Sequence, residues 1–129
     1  MTKNFSLENI GLWKNLTAKH FTKDILQLTG MEVSCNRLPA HTGVPFVHVH
    51  KKNEELYIVV SGNGKFFVDG EEFPVAEGSL IRVAPGAERT LTAGSEDLCF
   101  ICVQAEAGSL HQYTKEDANL TPTKASWMK

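Results

Sequence analysis

Short runs of alternating hydrophobic and polar positions fill the middle of the chain, separated at close intervals by turn-forming residues. A period of two puts every second side chain on the same face of an extended strand. Such strands are predicted at Phe46 to His50, Glu55 to Ser61, Lys65 to Val68, Glu72 to Val75, Ser79 to Ala84, Arg89 to Thr92 and Leu98 to Gln104. Gly62-Asn63-Gly64 and Asp69-Gly70 fall between consecutive runs. Both read as tight hairpin turns, since Asn-Gly and Asp-Gly accept the left-handed backbone such turns require. Upstream, Ile25, Leu26 and Leu28, then Met31, Val33 and Cys35, read as strands broken near Thr29-Gly30. Pro39 closes that stretch because proline donates no ladder hydrogen bond. Only Thr114 to Ala118 reads as helical, and Pro122 stops any continuation.

Many short strands at even spacing predict an all-β antiparallel sandwich or barrel with at most a short C-terminal helix. No linker, repeat or low-complexity tract interrupts the pattern, so a single domain over residues 1–129 is expected. Its core should span about 24–107, with the N-terminal segment 1–23 and the tail 108–129 peripheral. Leu12, Trp13 and Leu16 have no place in the strand pattern. They are expected to cover a sheet edge or a second copy of the chain, which points to a homodimer.

Composition narrows the function classes. An apolar share of 42% is too high for disorder. Thirteen basic against 15 acidic side chains leave a net charge of -2, which argues against a nucleic-acid partner. No apolar run approaches the roughly 20 residues that span a bilayer, and the first residues lack the apolar stretch of a signal peptide. Three cysteines, an odd count, fit reduced thiols and a cytoplasmic location.

The informative chemistry lies between Gly43 and Gly62. His48 and His50 are two apart and share a strand face, and Glu55 opens the next strand after a short connection. Two imidazoles and a carboxylate suit a divalent iron, manganese, nickel or zinc ion with positions left open. A competing arrangement ties Glu55 into a salt bridge with Lys51, Lys52 or Arg89 and needs no metal.

The run Gly43…His48-Val49-His50…Glu55…Gly62 resembles the first motif of the cupin superfamily, with one residue fewer than usual between Gly43 and His48. Gly78…Ala84-Pro85-Gly86…Arg89 resembles the second, with Ala84 at a proline position and Arg89 where the family usually places a further histidine ligand. The resemblance covers roughly residues 40–105 and implies a jelly-roll β-barrel with a metal on His48, His50 and Glu55. Arginine cannot ligate a metal. Arg89 is therefore expected to offer a bidentate fork to an anionic ligand. His41 is the alternative replacement ligand.

Phe46 and Tyr57 share the faces of His48 and Glu55 and are expected to line the pocket as substrate-binding residues or as core. Arg82 is expected to face solvent. Cys99 and Cys102, three apart, should face opposite sides of a strand and form neither bridge nor chelate. The resulting expectation is a metal-binding cupin that binds or acts on a small oxygen-rich, anionic metabolite: a sugar, sugar acid or keto acid. If an enzyme, it would be a metal-dependent oxygenase, isomerase or lyase. A non-catalytic small-molecule-binding barrel and a metal-free isomerase or epimerase, with Arg89 stabilising an enolate, stand beside that reading.

Overall fold

β-Branched and aromatic side chains alternate inward along two antiparallel sheets. The computed structural model describes residues 4–17, 19–112 and 114–128. The strands are β1 (His20–Phe21), β2 (Glu32–Leu38), β3 (Asn53–Ser61), β4 (Asn63–Val68), β5 (Glu71–Ala76), β6 (Leu80–Val83), β7 (Arg89–Ala93) and β8 (Leu98–Glu106). One sheet has the order β1-β2-β8-β3-β6 and the other β5-β4-β7. Tyr57, Val59, Leu98, Phe100 and Cys102 of the larger sheet pack with Phe66, Val75, Leu91 and Ala93 of the smaller one. The Tyr57 and Phe66 rings meet edge to face at 4.8 Å, joining the two sheets. Burying each large apolar side chain here contributes roughly 1.5–3 kcal/mol.

The expected all-β architecture is present, and the differences from expectation are local. Asp69-Gly70 is a two-residue hairpin between β4 and β5, with φ of 48° and 88° as a type I′ turn demands. Gly62-Asn63-Gly64 is not a hairpin: β3 pairs with β6 and β8, whereas β4 pairs with β5 and β7. Here the chain crosses between sheets under backbone contact. A Cβ on Gly62 would collide with the Asp97 carbonyl, and one on Gly64 with that of Thr92.

Residues 25–28 do not form a strand. Lys23–Leu26 is one helical turn, α1, closed by Gln27 in the left-handed region. Because His20 and Phe21 pair with Cys35 and Ser34, the intervening chain must reverse direction. Glu32 accepts a bond from the Lys23 N–H at 3.0 Å and steadies the start of that turn. The second short helix, α2 (Thr114–Asp117), falls where a C-terminal helix was expected.

Phe46–His50 is not a regular strand either. Bridges at Gly43–Thr92 and His48–Arg89 hold the segment along β7, with a bend at Pro45-Phe46 between them. At the other flank, Trp13 Nε1 donates to the Asn36 carbonyl at 3.0 Å, and Arg37 Nη1 donates to the Leu16 carbonyl at 2.8 Å. The N-terminal segment thus lies on β2 of its own chain. Among the described residues no helix is long and apolar enough to cross a membrane.

Candidate metal centre

Two backbone bonds between His48 and Arg89, at 3.2 and 3.1 Å, give His48 a strand-like orientation without a full strand. The His50 carbonyl is fixed by the Gly86 N–H at 2.8 Å. Alternation then brings both imidazoles to one side, their rings edge to face with centroids 5.1 Å apart. Glu55 is paired with Gln104 on one side and Val83 on the other, and its side chain turns inward with the residue only 3% exposed. Ligand atoms of His48, His50 and Glu55 all lie within 4.8 Å of one another.

The Glu55 carboxylate is surrounded by donors. Tyr57 Oη donates to Oε1 at 2.8 Å, and Cys102 Sγ donates to Oε2 at 3.3 Å. His50 Nε2 lies 3.1 Å from Oε2, and Arg89 Nε 3.6 Å from Oε1. The Arg89 distance is a charge pair rather than a good hydrogen bond. Arg89 is wholly buried, and its Nη2 donates to the Ala84 carbonyl at 3.2 Å. Its Nε and Nη1 have no hydrogen-bond partner, and neither does His48 Nδ1.

Protonation states follow from these neighbours. Burial lowers the His48 pKa; Glu55 pulls it back, while Arg89 and His50 push it further down. The neutral ring keeps a lone pair for coordination at neutral pH. Burial, reinforced by Glu55, pushes the Cys102 thiol up to about 12. The same causes, with Cys102 itself second in weight, raise the Tyr57 phenol. Both groups therefore stay protonated and serve as donors that orient Glu55.

A cavity of about 290 Å³ opens beside the cluster. Phe46, His48, His50, Glu55 and Tyr57 are among the residues that line it. Arg89 is not on its wall. Full burial behind the Glu55 charge does not suit a fork for a ligand anion, because the guanidinium already faces a carboxylate. His41 is exposed, with φ 63°, and is not part of the ligand cluster. Arg82 is exposed as expected. Cys99 and Cys102 are both buried free thiols.

Sequence reasoning missed Cys102, Asn36, Ser34 and Gln104 as wall residues. Alternation along Leu98–Gln104 carries the signal for two of them, since Phe100, Cys102 and Gln104 share parity with the buried Leu98. Asn36 and Ser34 follow only from the pairing of β2 with β8.

The fold and this cluster together define a cupin. The family model for the cupin domain matches residues 37–104, and the chain belongs to that family. A solved cupin protein from Bacteroides fragilis is 41% identical, with a TM-score of 0.86 over 93% of this chain and 99% of that one. A predicted oxalate decarboxylase from Thermotoga maritima is 25% identical (TM-score 0.53), covering 59% of this chain and 64% of that one. KdgF from Halomonas sp. shares the fold at 14% identity (TM-score 0.60), covering 70% of this chain and 79% of that one. No curated protein matches this chain.

Proposed function

We propose that this cupin binds one divalent metal through His48, His50 and Glu55 and uses it to hold a small anionic ligand through an oxygen. The observation that carries the reading is the convergence of two imidazoles and a carboxylate within 4.8 Å at a cavity wall. The donor set fits iron, manganese, nickel or zinc, since two nitrogens and one carboxylate oxygen leave coordination positions open. Such a metal, when bound, would supply Lewis-acid polarisation of a ligand oxygen. The chain's own residues do the rest. Tyr57 and Cys102 hold the Glu55 carboxylate in place, His48 is kept neutral, and Arg89 balances the Glu55 charge from behind.

Replacing His48, His50 or Glu55 by alanine should each lower bound metal at least tenfold in equilibrium dialysis, while Cys99→Ser should leave it unchanged. Unchanged retention in all three alanine variants would reject the site.

One observation favours a second reading, in which the barrel binds its ligand without metal. Glu55 already faces His50, Tyr57, Cys102 and Arg89, as a satisfied buried carboxylate would. In that case metal titration gives no heat and the alanine variants change only ligand affinity. A metal-free isomerase relying on Arg89 against an enolate draws less support, because Arg89 is set back from the cavity wall.

The three free thiols support a reducing, cytoplasmic setting. Exposed Leu7 and Leu12 on the N-terminal segment support a homodimer. A monomer mass by light scattering at micromolar concentration would reject the dimer.

A further inference from the structure

We propose that the cavity is built for an aryl carboxylate bearing a hydroxyl remote from its carboxylate, and not for a sugar or sugar acid. The placement of the carboxylate end rests on the metal reading above; the rest stands on the walls. Phe21, Leu38, Val44, Phe46, Leu91 and Phe100 supply an apolar lining. A polyol enclosed there needs a partner for each hydroxyl, and every one left unmatched is penalised.

Several polar wall atoms are already engaged within the protein. Gln104 Oε1 accepts from Asn53 Nδ2 at 2.9 Å, and Thr90 Oγ1 donates to the Val44 carbonyl at 3.4 Å. Ser34 Oγ accepts from Asn36 Nδ2 at 3.0 Å. Away from the His48–His50–Glu55 cluster, Asn36 stands apart: a wall residue only 3% exposed whose Oδ1 has no partner. Its amide orientation is fixed, because Nδ2 faces the Ser34 and Phe100 carbonyls, which can only accept. Oδ1 is therefore a buried acceptor left without a donor, and it calls for one ligand hydroxyl.

Register says where that hydroxyl belongs. Glu55 pairs with Gln104, and Asn36 pairs with Phe100. Four residues of β8 separate the two levels, about 13 Å of strand. The donor therefore sits at the end of the ligand away from the metal cluster. The volume of about 290 Å³ lies near the small end of ligand sites and suits one ring with a short chain. Lys19, exposed at the rim, adds positive charge that favours an anion.

The test is calorimetric titration of the full chain, zinc-loaded and chelator-treated, with 3-(4-hydroxyphenyl)propanoate, 3-phenylpropanoate and gluconate. The hydroxylated aryl acid should bind on the order of tenfold more tightly than its unhydroxylated analogue, with gluconate weakest. Asn36→Leu should erase the difference between the two aryl acids. Should that variant fail to fold, Phe46→Ala serves instead, because Phe46 is 59% exposed. It should weaken both aryl acids several-fold more than gluconate. Equal binding of the two aryl acids by the wild type, or preference for gluconate, overturns the inference. Zinc binding with gluconate preferred refutes this inference and spares the metal reading. Aryl discrimination without zinc binding supports the wall assignment and rejects zinc as the metal.

Discussion

Glu55 is the residue on which the account turns. It is nearly fully buried and shares its environment with Arg89, which is wholly so. Arg89→Leu removes the cation and leaves the carboxylate among neutral donors. It should destabilise the fold by about 3 kcal/mol, read from urea melts in chelator. Arg89→His acts differently, removing a competing charge and adding a ligand type, and should tighten metal binding on the order of tenfold by calorimetry. An unchanged affinity would mean that position 89 does not face the cluster. The candidate cluster was legible in the sequence because His48, His50 and Glu55 are close neighbours along the chain, although the backbone bonds to Arg89 that orient His48 were not. The donors that orient Glu55 were less so. Cys102 reaches it across 47 positions, through strand pairing that no local pattern encodes. Arg89 was misjudged for a related reason: whether its fork meets a ligand or a carboxylate depends on depth of burial.

Strands and turns tell a parallel story. The extended character of β3 and β8 could be read from their β-branched and aromatic residues, whereas their near-continuous apolar runs left the inward parity open. The turn chemistry was ambiguous, since glycine pairs serve hairpins and close crossings alike. Two substitutions separate these uses. Gly70→Ala, with φ 88° and open space around a new Cβ, should cost about 1–2 kcal/mol. Gly62→Ala has the same φ and also drives a Cβ into the Asp97 carbonyl, so its loss should be several times larger in thermal melts. Asp97 itself joins β2 to the loop before β8, accepting from the Ala40 N–H and from Arg37 Nε, each at 2.9 Å. First Ala40 and then Arg37 hold its carboxyl below the usual aspartate range. A depressed native value stabilises above the unfolded value of about 3.9 and loses that contribution as pH falls through the native one. Asp97→Asn should lower stability at neutral pH and flatten its decline on acidification, as urea midpoints at pH 7 and pH 3 would show. The helical turn at Lys23–Leu26 escaped the pattern because its apolar residues answer to a chain reversal, with Ile25 left 56% exposed.

Two sheets packed on Tyr57, Phe66 and Phe100 leave a cavity on the side where the His48–His50 segment lies along β7, and that architecture brings the ligand cluster to a wall. The barrel was foreseeable from strand count and spacing. The wall was not, because it is assembled from β1, β2, β3, β7, β8 and the irregular 46–50 segment at once. The central claim is that this convergence holds a metal. Elemental analysis of untagged protein, equilibrated with excess divalent metal and then desalted, tests it most directly. Close to one ion per chain is expected, lost in His48→Ala and in His50→Ala. Wild-type protein that retains no ion after the same treatment would contradict it.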